Sequence, residues 1–178
     1  MYSSNKILLK AGDVVVIIKL PISHQIEVYV DGGWCVDALV GAQTREHLDL
    51  DIALPHKFDK KLRSVLKQKG FEELYLSYSW ECNYVLKGNN GLLVDVHTYE
   101  LDENSRNIFG VQYEGFHLTG TGSINGYTVK CISPEWTMKF HTGYTLDEND
   151  YHDVLVLLKK FGLPIPDEYD RFRKIDGV

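Results

Sequence analysis

Cysteine is scarce and badly placed for cross-linking: Cys35, Cys82 and Cys131 are odd in number, widely spaced and never in a CxxC pair. That excludes a disulfide framework and a zinc finger, and it points to a reducing, cytoplasmic setting. Long apolar runs are missing too. The one from Val14 to Ile18 is cut by Lys19 and Pro21, far short of a bilayer span, and no small-residue cleavage site follows it. No excess of positive charge exists either. A formal net charge of −6 and a pI near 5.6 argue against a protein that coats nucleic acid, which draws affinity from neutralised phosphates. Internal repeats and low-complexity stretches are absent as well.

What is present suits one compact unit. In 178 residues, 44% hydrophobic, there is room for a sizeable core with a helical extension. Ala11 to Leu20 reads as a short helix stopped near Pro21, and Ile26 to Val30 as a buried strand running into a Gly-Gly turn. Trp34 to Val40 is expected to be a helix capped by Gly41. Phe58, Leu62, Val65 and Leu66 recur at helical spacing among lysines, with Gly70 as the stop. Glu81 to Lys87 and Leu92 to Thr98, joined by Gly88-Asn89-Asn90-Gly91, form a hairpin pattern. From Leu101 to Asn125 the chain is polar, glycine-rich and weakly periodic, as in a long loop or short edge strands. Tyr127 to Ile132 fits a last strand, and Ser133-Pro134 an N-cap followed by a first-turn proline. A final helix from about Tyr151 to Phe161 is expected to turn Val154, Leu155 and Leu158 inward.

The chemistry lies in Leu48 to Leu54, where leucine or isoleucine alternates with aspartate. A strand has a side-chain period of two, so Asp49 and Asp51 point the same way, away from the apolar face. Asp95, between Val94 and Val96, is a third carboxylate of the same kind in a later strand. Three such groups can form an oxygen cage for magnesium, a hard ion that keeps water and substrate phosphates as further ligands, and two such ions can bracket an in-line displacement at phosphorus. A lone D-x-D is more often a solvated face. The upstream turn changes that weighting: Gly32 and Gly33 follow a buried strand and precede a helix, so their N–H groups can approach a triphosphate with no side chain in the way.

The run DGGWCVDALVGAQTREHLDLDIAL, residues 31–54, resembles the signature of the nucleotidyltransferase superfamily, in its small antibiotic-modifying branch of aminoglycoside 2''-nucleotidyltransferases and lincosamide nucleotidyltransferases. LLVDVHT, residues 92–98, is similar to that family's third-carboxylate strand. ISPEWTMKFHTGYTLDENDYHDV, residues 132–154, is similar to the C-terminal helical region of the lincosamide-like members. The resemblance implies an α+β fold: a mixed sheet flanked by helices in a core domain, residues 1–132, with a small helical extension, residues 133–178, packed on it. It implies ATP or another nucleoside triphosphate with Mg2+, two ions by the usual arrangement, and a nucleotidylated small-molecule hydroxyl plus pyrophosphate as products. Asp49 and Asp51 would be metal ligands, Asp95 the third ligand or the base, and Gly32 and Gly33 the phosphate holders. A homodimer sharing the cleft is also implied; membrane and nucleic-acid partners are not.

Beyond those positions the residues leave choices open. Arg45 and His47 stand where a cation could neutralise departing pyrophosphate, against a surface ion pair of Arg45 with Glu46 or Asp37. His97 could orient Asp95 or bind the acceptor, or merely be satisfied by a backbone carbonyl. Lys139 and His141 could meet a nucleotide lodged between the two parts, against a solvated lysine. Asp153 reads first as a helix-start charge. Trp34, Trp80 and Trp136 read as core. Glu72, Glu73, Glu81, Glu100, Asp102 and Glu103 flank the expected cleft, where they could draw in a polycationic aminoglycoside, or are scattered solvated charge. Three rivals remain. A D-x-D glycosyltransferase would lack the third aspartate and needs a longer chain. A helical phosphohydrolase built on His152-Asp153 is at odds with the strand-rich first half. An antitoxin or protein-modifying module of the same fold would depend on a partner protein.

Overall fold

In the computed structural model, which describes residues 7–172, every expected element is found, with shifts at the ends. In chain order they are α1 (Ala11–Ser23), β1 (Tyr29–Val30), α2 (Gly32–Val40), β2 (Asp49–Pro55), α3 (Asp59–Lys67), β3 (Phe71–Leu74), β4 (Asn83–Gly88), β5 (Leu93–Leu101), β6 (Asn107–Gly110), β7 (Gly120–Ile124), β8 (Tyr127–Cys131), α4 (Pro134–Phe140) and α5 (Glu148–Phe161). Residues 173–178 of the expected extension lie outside the described residues. Among the described residues, no helix is long and apolar enough to cross a membrane.

The strands form one mixed sheet in the order β3-β4-β5-β2-β1-β8-β7. The pairs β2·β5 and β1·β8 are parallel, and β1·β2, β3·β4, β4·β5 and β7·β8 are antiparallel. β6 takes over from β4 along the last residues of β5, at Tyr99 to Leu101. The polar stretch from Leu101 to Asn125 therefore supplies two strands, one of them at the outer edge of the sheet.

Alternation in β2 sends Leu50, Ile52 and Leu54 into the main core, where Val94, Val96, Leu62, Leu66, Val14 and Ile18 join them. Each fully buried side chain of this kind contributes roughly 2 kcal/mol. The same alternation leaves Asp49 and Asp51 on the opposite face, and the register sets Asp51 directly beside Asp95. Position and orientation of the carboxylates are thus consequences of the core.

Three sequence expectations shift for identifiable reasons. The first helix runs through Pro21 to Ser23, because a proline in the last turn removes a single N–H, and His24 and Ile26 close the end by donating to the Pro21 carbonyl. β1 is two residues long: Ile26 and Val28 are buried, but continuing the ladder would bring Glu27 opposite Pro55, which has no N–H to give. In α5 the buried stripe is Tyr151, Asp153, Val154 and Leu157, whereas Leu155 and Leu158 are exposed. A charged residue inside the stripe hid its true phase.

Ends differ as well. Gly32 and Gly33 belong to the first turn of α2, whose N-cap is Asp31, accepting from the Gly32 N–H at 2.8 Å. Ser133 stands at the N-cap of α4 with no hydroxyl cap bond. Asp147 caps α5 by accepting from the N–H groups of Asn149 and Asp150, so Asp153 is not a capping residue. Trp34 is core, but Trp80 is half exposed. A second, smaller core of Val36, Met138, Leu146, Tyr151, Val154, Leu157, Tyr169 and Phe172 ties α2 to α4, α5 and the chain beyond.

Candidate active site

Asp49, Asp51, Asp95 and His97 share one face of the adjacent strands β2 and β5. Beside them opens a cleft of about 310 Å³ bounded by Asp31, Gly32, Gly33, Arg45, His47, Asp49, Asp51, His97, Phe140, His141, Tyr144 and Asp150. A larger cavity, about 480 Å³, lies at the far end of β2 and β5 among Tyr29, Pro55, His56, Tyr99 and Glu100, and it holds none of the expected site residues.

The carboxylates crowd one another. Burial, then the charge of Asp49, pushes the Asp51 carboxyl up to about 8, and burial, then Asp95, raises Asp49. Asp95 Oδ1 is buried and has no hydrogen-bond partner. Like charges packed this closely, with an orphaned oxygen among them, fit a divalent cation: Asp51, Asp95 and His97 each offer a ligand atom, all within 4.8 Å of one another.

α2 begins against this cluster. Gly32 has φ +58°, and a Cβ there would overlap Asp51 Oδ2; a Cβ on Gly33 would run into the Arg45 guanidinium and the His47 ring. Gly32 needs its left-handed backbone, a side chain at Gly33 would have to displace Arg45 and His47, and no side chain covers the start of α2, although Asp31 takes the Gly32 N–H. Gly32→Ala is expected to cost about 1–2 kcal/mol in stability through its left-handed backbone and, by displacing Asp51, to cut turnover about 100-fold or more. Denaturant midpoints and turnover, read beside Gly12→Ala, check this, since a Cβ at Gly12 meets nothing within 4 Å. Equal behaviour of the two variants would refute the cradle.

Arg45 is not a surface pair with Glu46 or Asp37. Its Nε and Nη2 donate to both oxygens of Asp153 at 2.8 and 2.7 Å, and Nη1 donates to the Glu46 carbonyl. Asp153 is fully buried in α5; burial opposes its charge, but Arg45 and His141 hold its carboxyl low. That leaves no metal site on His152-Asp153. His141 Nδ1 donates to the Thr137 carbonyl at 2.8 Å, and Nε2 lies 3.3 Å from Asp153. His47 is buried, with Nε2 2.6 Å from Asp37 Oδ2 and its ring 4.4 Å from that of Trp34.

His97 is held on both sides. Nδ1 lies 2.9 Å from the Tyr113 hydroxyl, which donates to Asp31 Oδ2 at 2.5 Å, and Nε2 lies 3.5 Å from Asp95 Oδ1. Burial disfavours its charge, yet Asp31, Asp95 and Asp51 outweigh that and raise it to about 10. Tyr113 comes from the aperiodic stretch, where no sequence signal marked it. Asp31 could have been read as an N-cap before Gly-Gly.

Some expected residues are elsewhere. Lys139 does not line the cleft; its Nζ sits over the Trp136 ring, 4.0 Å from the centroid, and the residues that reach the cleft are the next two, Phe140 and His141. Glu72 and Glu73 lie on β3, with Glu73 paired to Arg63; Glu100 borders the far cavity, and Asp102 caps its own turn. None of them flanks the cleft, whose acids are Asp31, Asp49, Asp51 and Asp150.

Comparison with known proteins agrees with this geometry. A lincosamide resistance protein of Staphylococcus haemolyticus is 29% identical over 137 residues, spanning 73% of this chain and 83% of that protein. The crystal structure of lincosamide antibiotic adenylyltransferase LnuA, lincomycin-bound, superposes with a TM-score of 0.74 at 24% identity, covering 85% of this chain and 98% of that one. ANT(2'')-Ia in complex with adenylyl-2''-tobramycin gives 0.70 at 17% identity, covering 85% and 89%. At these identities the structures share the fold. The family model described as aminoglycoside-2''-adenylyltransferase matches residues 13–157, and the chain belongs to that family of antibiotic-modifying nucleotidyltransferases.

Proposed function

We propose that this enzyme transfers AMP from Mg2+-bound ATP to a hydroxyl of a lincosamide antibiotic, releasing pyrophosphate. The observation that carries the reading is the register of β2 and β5, which puts Asp51 beside Asp95 with Asp49 on the same face and the Gly32-Gly33 turn against them. Asp49, Asp51 and Asp95 would hold the magnesium, which when bound neutralises phosphate oxygens and orients the α-phosphorus for in-line attack. Gly33 offers its N–H to the phosphates, Gly32, whose N–H is held by Asp31, leaves room for them, and Arg45 adds a positive edge where pyrophosphate leaves. As the acceptor oxygen bonds to the α-phosphorus and the bond to pyrophosphate breaks, the hydroxyl proton passes to the Asp95 carboxylate. On this reading residues 1–132 supply the carboxylates, and residues 133–178 close the cleft with Phe140, His141 and Tyr144.

A lincosamide is placed before an aminoglycoside although the cleft carries acids of its own, Asp31, Asp49, Asp51 and Asp150, because Glu72, Glu73 and Glu100 add nothing to them. The name and coverage of the Staphylococcus haemolyticus relative support the same choice. An aminoglycoside acceptor is the second reading, favoured by the family description. The test is pyrophosphate release with Mg2+ and each of the four common triphosphates against lincosamides, aminoglycosides and simple hydroxylated amines. Release requiring Mg2+, ATP and a lincosamide, with AMP found on the drug by mass spectrometry, is expected. No release with any acceptor in the panel would overturn the proposal.

A further inference from the structure

His97 lines the cleft, and the proposed chemistry gives it no task. Its cross-strand neighbour on β2 is Ala53, which offers the ring no polar group. The hydrogen bonds around it fix its tautomer. Tyr113 has one hydroxyl hydrogen, which it donates to Asp31; its oxygen therefore accepts from His97, and Nδ1 must carry a hydrogen. Nε2 is left facing Asp95 Oδ1 at 3.5 Å, an oxygen with no hydrogen-bond partner.

This is the arrangement of a histidine that binds a metal through one nitrogen and anchors the other through a fixed acceptor. Ligand atoms of Asp51, Asp95 and His97 all lie within 4.8 Å of one another, a span that closes by a few tenths of an ångström to reach the roughly 4.2 Å between opposite ligands of an octahedral Mg2+-sized ion. Asp49 is not part of that group; it stands at the exposed end of the face.

We propose that His97 Nε2 is a direct metal ligand, so that Asp51, Asp95 and His97 form a mixed oxygen–nitrogen site that takes Mn2+ or Co2+ in preference to Mg2+. The inference rests on the proposed nucleotidyl transfer at these carboxylates. Imidazole nitrogen is a softer donor than carboxylate oxygen and shifts a site from Mg2+ toward first-row transition ions. Asp31 and Tyr113 are its positioning residues. Because Asp31 also caps α2, the same carboxylate ties the phosphate turn to the ring.

The experiment is electron spin-echo envelope modulation on the full chain with Mn2+ and no nucleotide, together with Mn2+ and Mg2+ titrations by calorimetry. Modulation from a directly bound 14N is expected in the parent protein and lost in His97→Gln, whose Mn2+ dissociation constant rises about 10–100-fold with a smaller change for Mg2+. Should His97→Gln fail to fold, Tyr113→Phe, which keeps the ring and drops the hydroxyl, is expected to weaken Mn2+ binding in the same direction. Mn2+ that binds without nitrogen modulation, or with modulation surviving His97→Gln, overturns this inference alone and makes His97 a fixed positive charge among the carboxylates. A protein that binds no divalent ion overturns the proposed function, and this inference with it.

Discussion

Asp51→Asn is expected to abolish transfer, by about 10³-fold or more, while making the metal-free protein more stable. The carboxylate would hold the metal that neutralises the phosphate oxygens, which explains the first effect. The second follows from its titration. Folding raises the Asp51 carboxyl from 3.8 to about 8, chiefly by burial and by the charge of Asp49. Below pH 3.8 the group is protonated folded or unfolded and imposes no penalty. Between 3.8 and about 8 the folded protein retains a proton that the unfolded chain has released, so stability falls as pH rises through that window. Asparagine removes this loss, and a gain on the order of 1 kcal/mol corresponds to roughly 2–4 °C in Tm at this size. Melting curves in chelator from pH 5 to 8 read it directly. Mg2+ should then reverse the order, stabilising the parent protein by mass action and leaving the variant unmoved. Unchanged turnover, or the same pH slope in both proteins, would sink the assignment.

The second large effect concerns Arg45 and Asp153, which join the segment before β2 to α5. Removing one partner of a buried bidentate pair strands the other, and Asp153, fully buried, would keep only His141 at 3.3 Å. Arg45→Ala is therefore expected to cost about 3 kcal/mol, at the low end of the usual range because the guanidinium is partly exposed. That corresponds to a fall of roughly 6–12 °C in Tm. Asp153→Ala should cost less, since the freed Arg45 can turn to water. The double variant should be more stable than the sum of the two losses predicts, because an absent pair leaves no stranded charge. A denaturant midpoint for Arg45→Ala within about 0.5 kcal/mol of the parent would show that the pair does not hold α5.

The carboxylate face was legible because two constraints coincide in one heptapeptide of β2: alternation sends leucine and isoleucine inward, so the intervening aspartates can only face out. What local pattern could not supply was register. Nothing in Leu92 to Thr98 states that Asp95 stands opposite Asp51 rather than Asp49. Tyr113 was illegible for a different reason. It sits between two short strands with no periodicity, and its role arises from where its hydroxyl meets Asp31, 82 residues away. The phase of α5 was misread because its buried face includes Asp153, and a charge is assigned outward unless its distant partner is known. Lys139 is the opposite case, a charge expected in the cleft whose Nζ lies over Trp136. The errors share one source: a buried or stacked charge is defined by its partner, and the partner is remote in sequence.

The two-residue strand β1 has a consequence for how the molecule is made. Val30 pairs with Cys131, and Arg45 reaches Asp153 across 108 residues. Neither contact can form until most of the polypeptide has left the ribosome, since contacts this distant in sequence must wait for the intervening chain. The pairing of β2 with β5 needs far less chain. The acidic half of the site can thus be laid down early in synthesis, but the wall of the cleft opposite it is completed only with α4 and α5. A chain stalled before α5 would hold crowded carboxylates with Arg45 lacking the Asp153 carboxylate that anchors it.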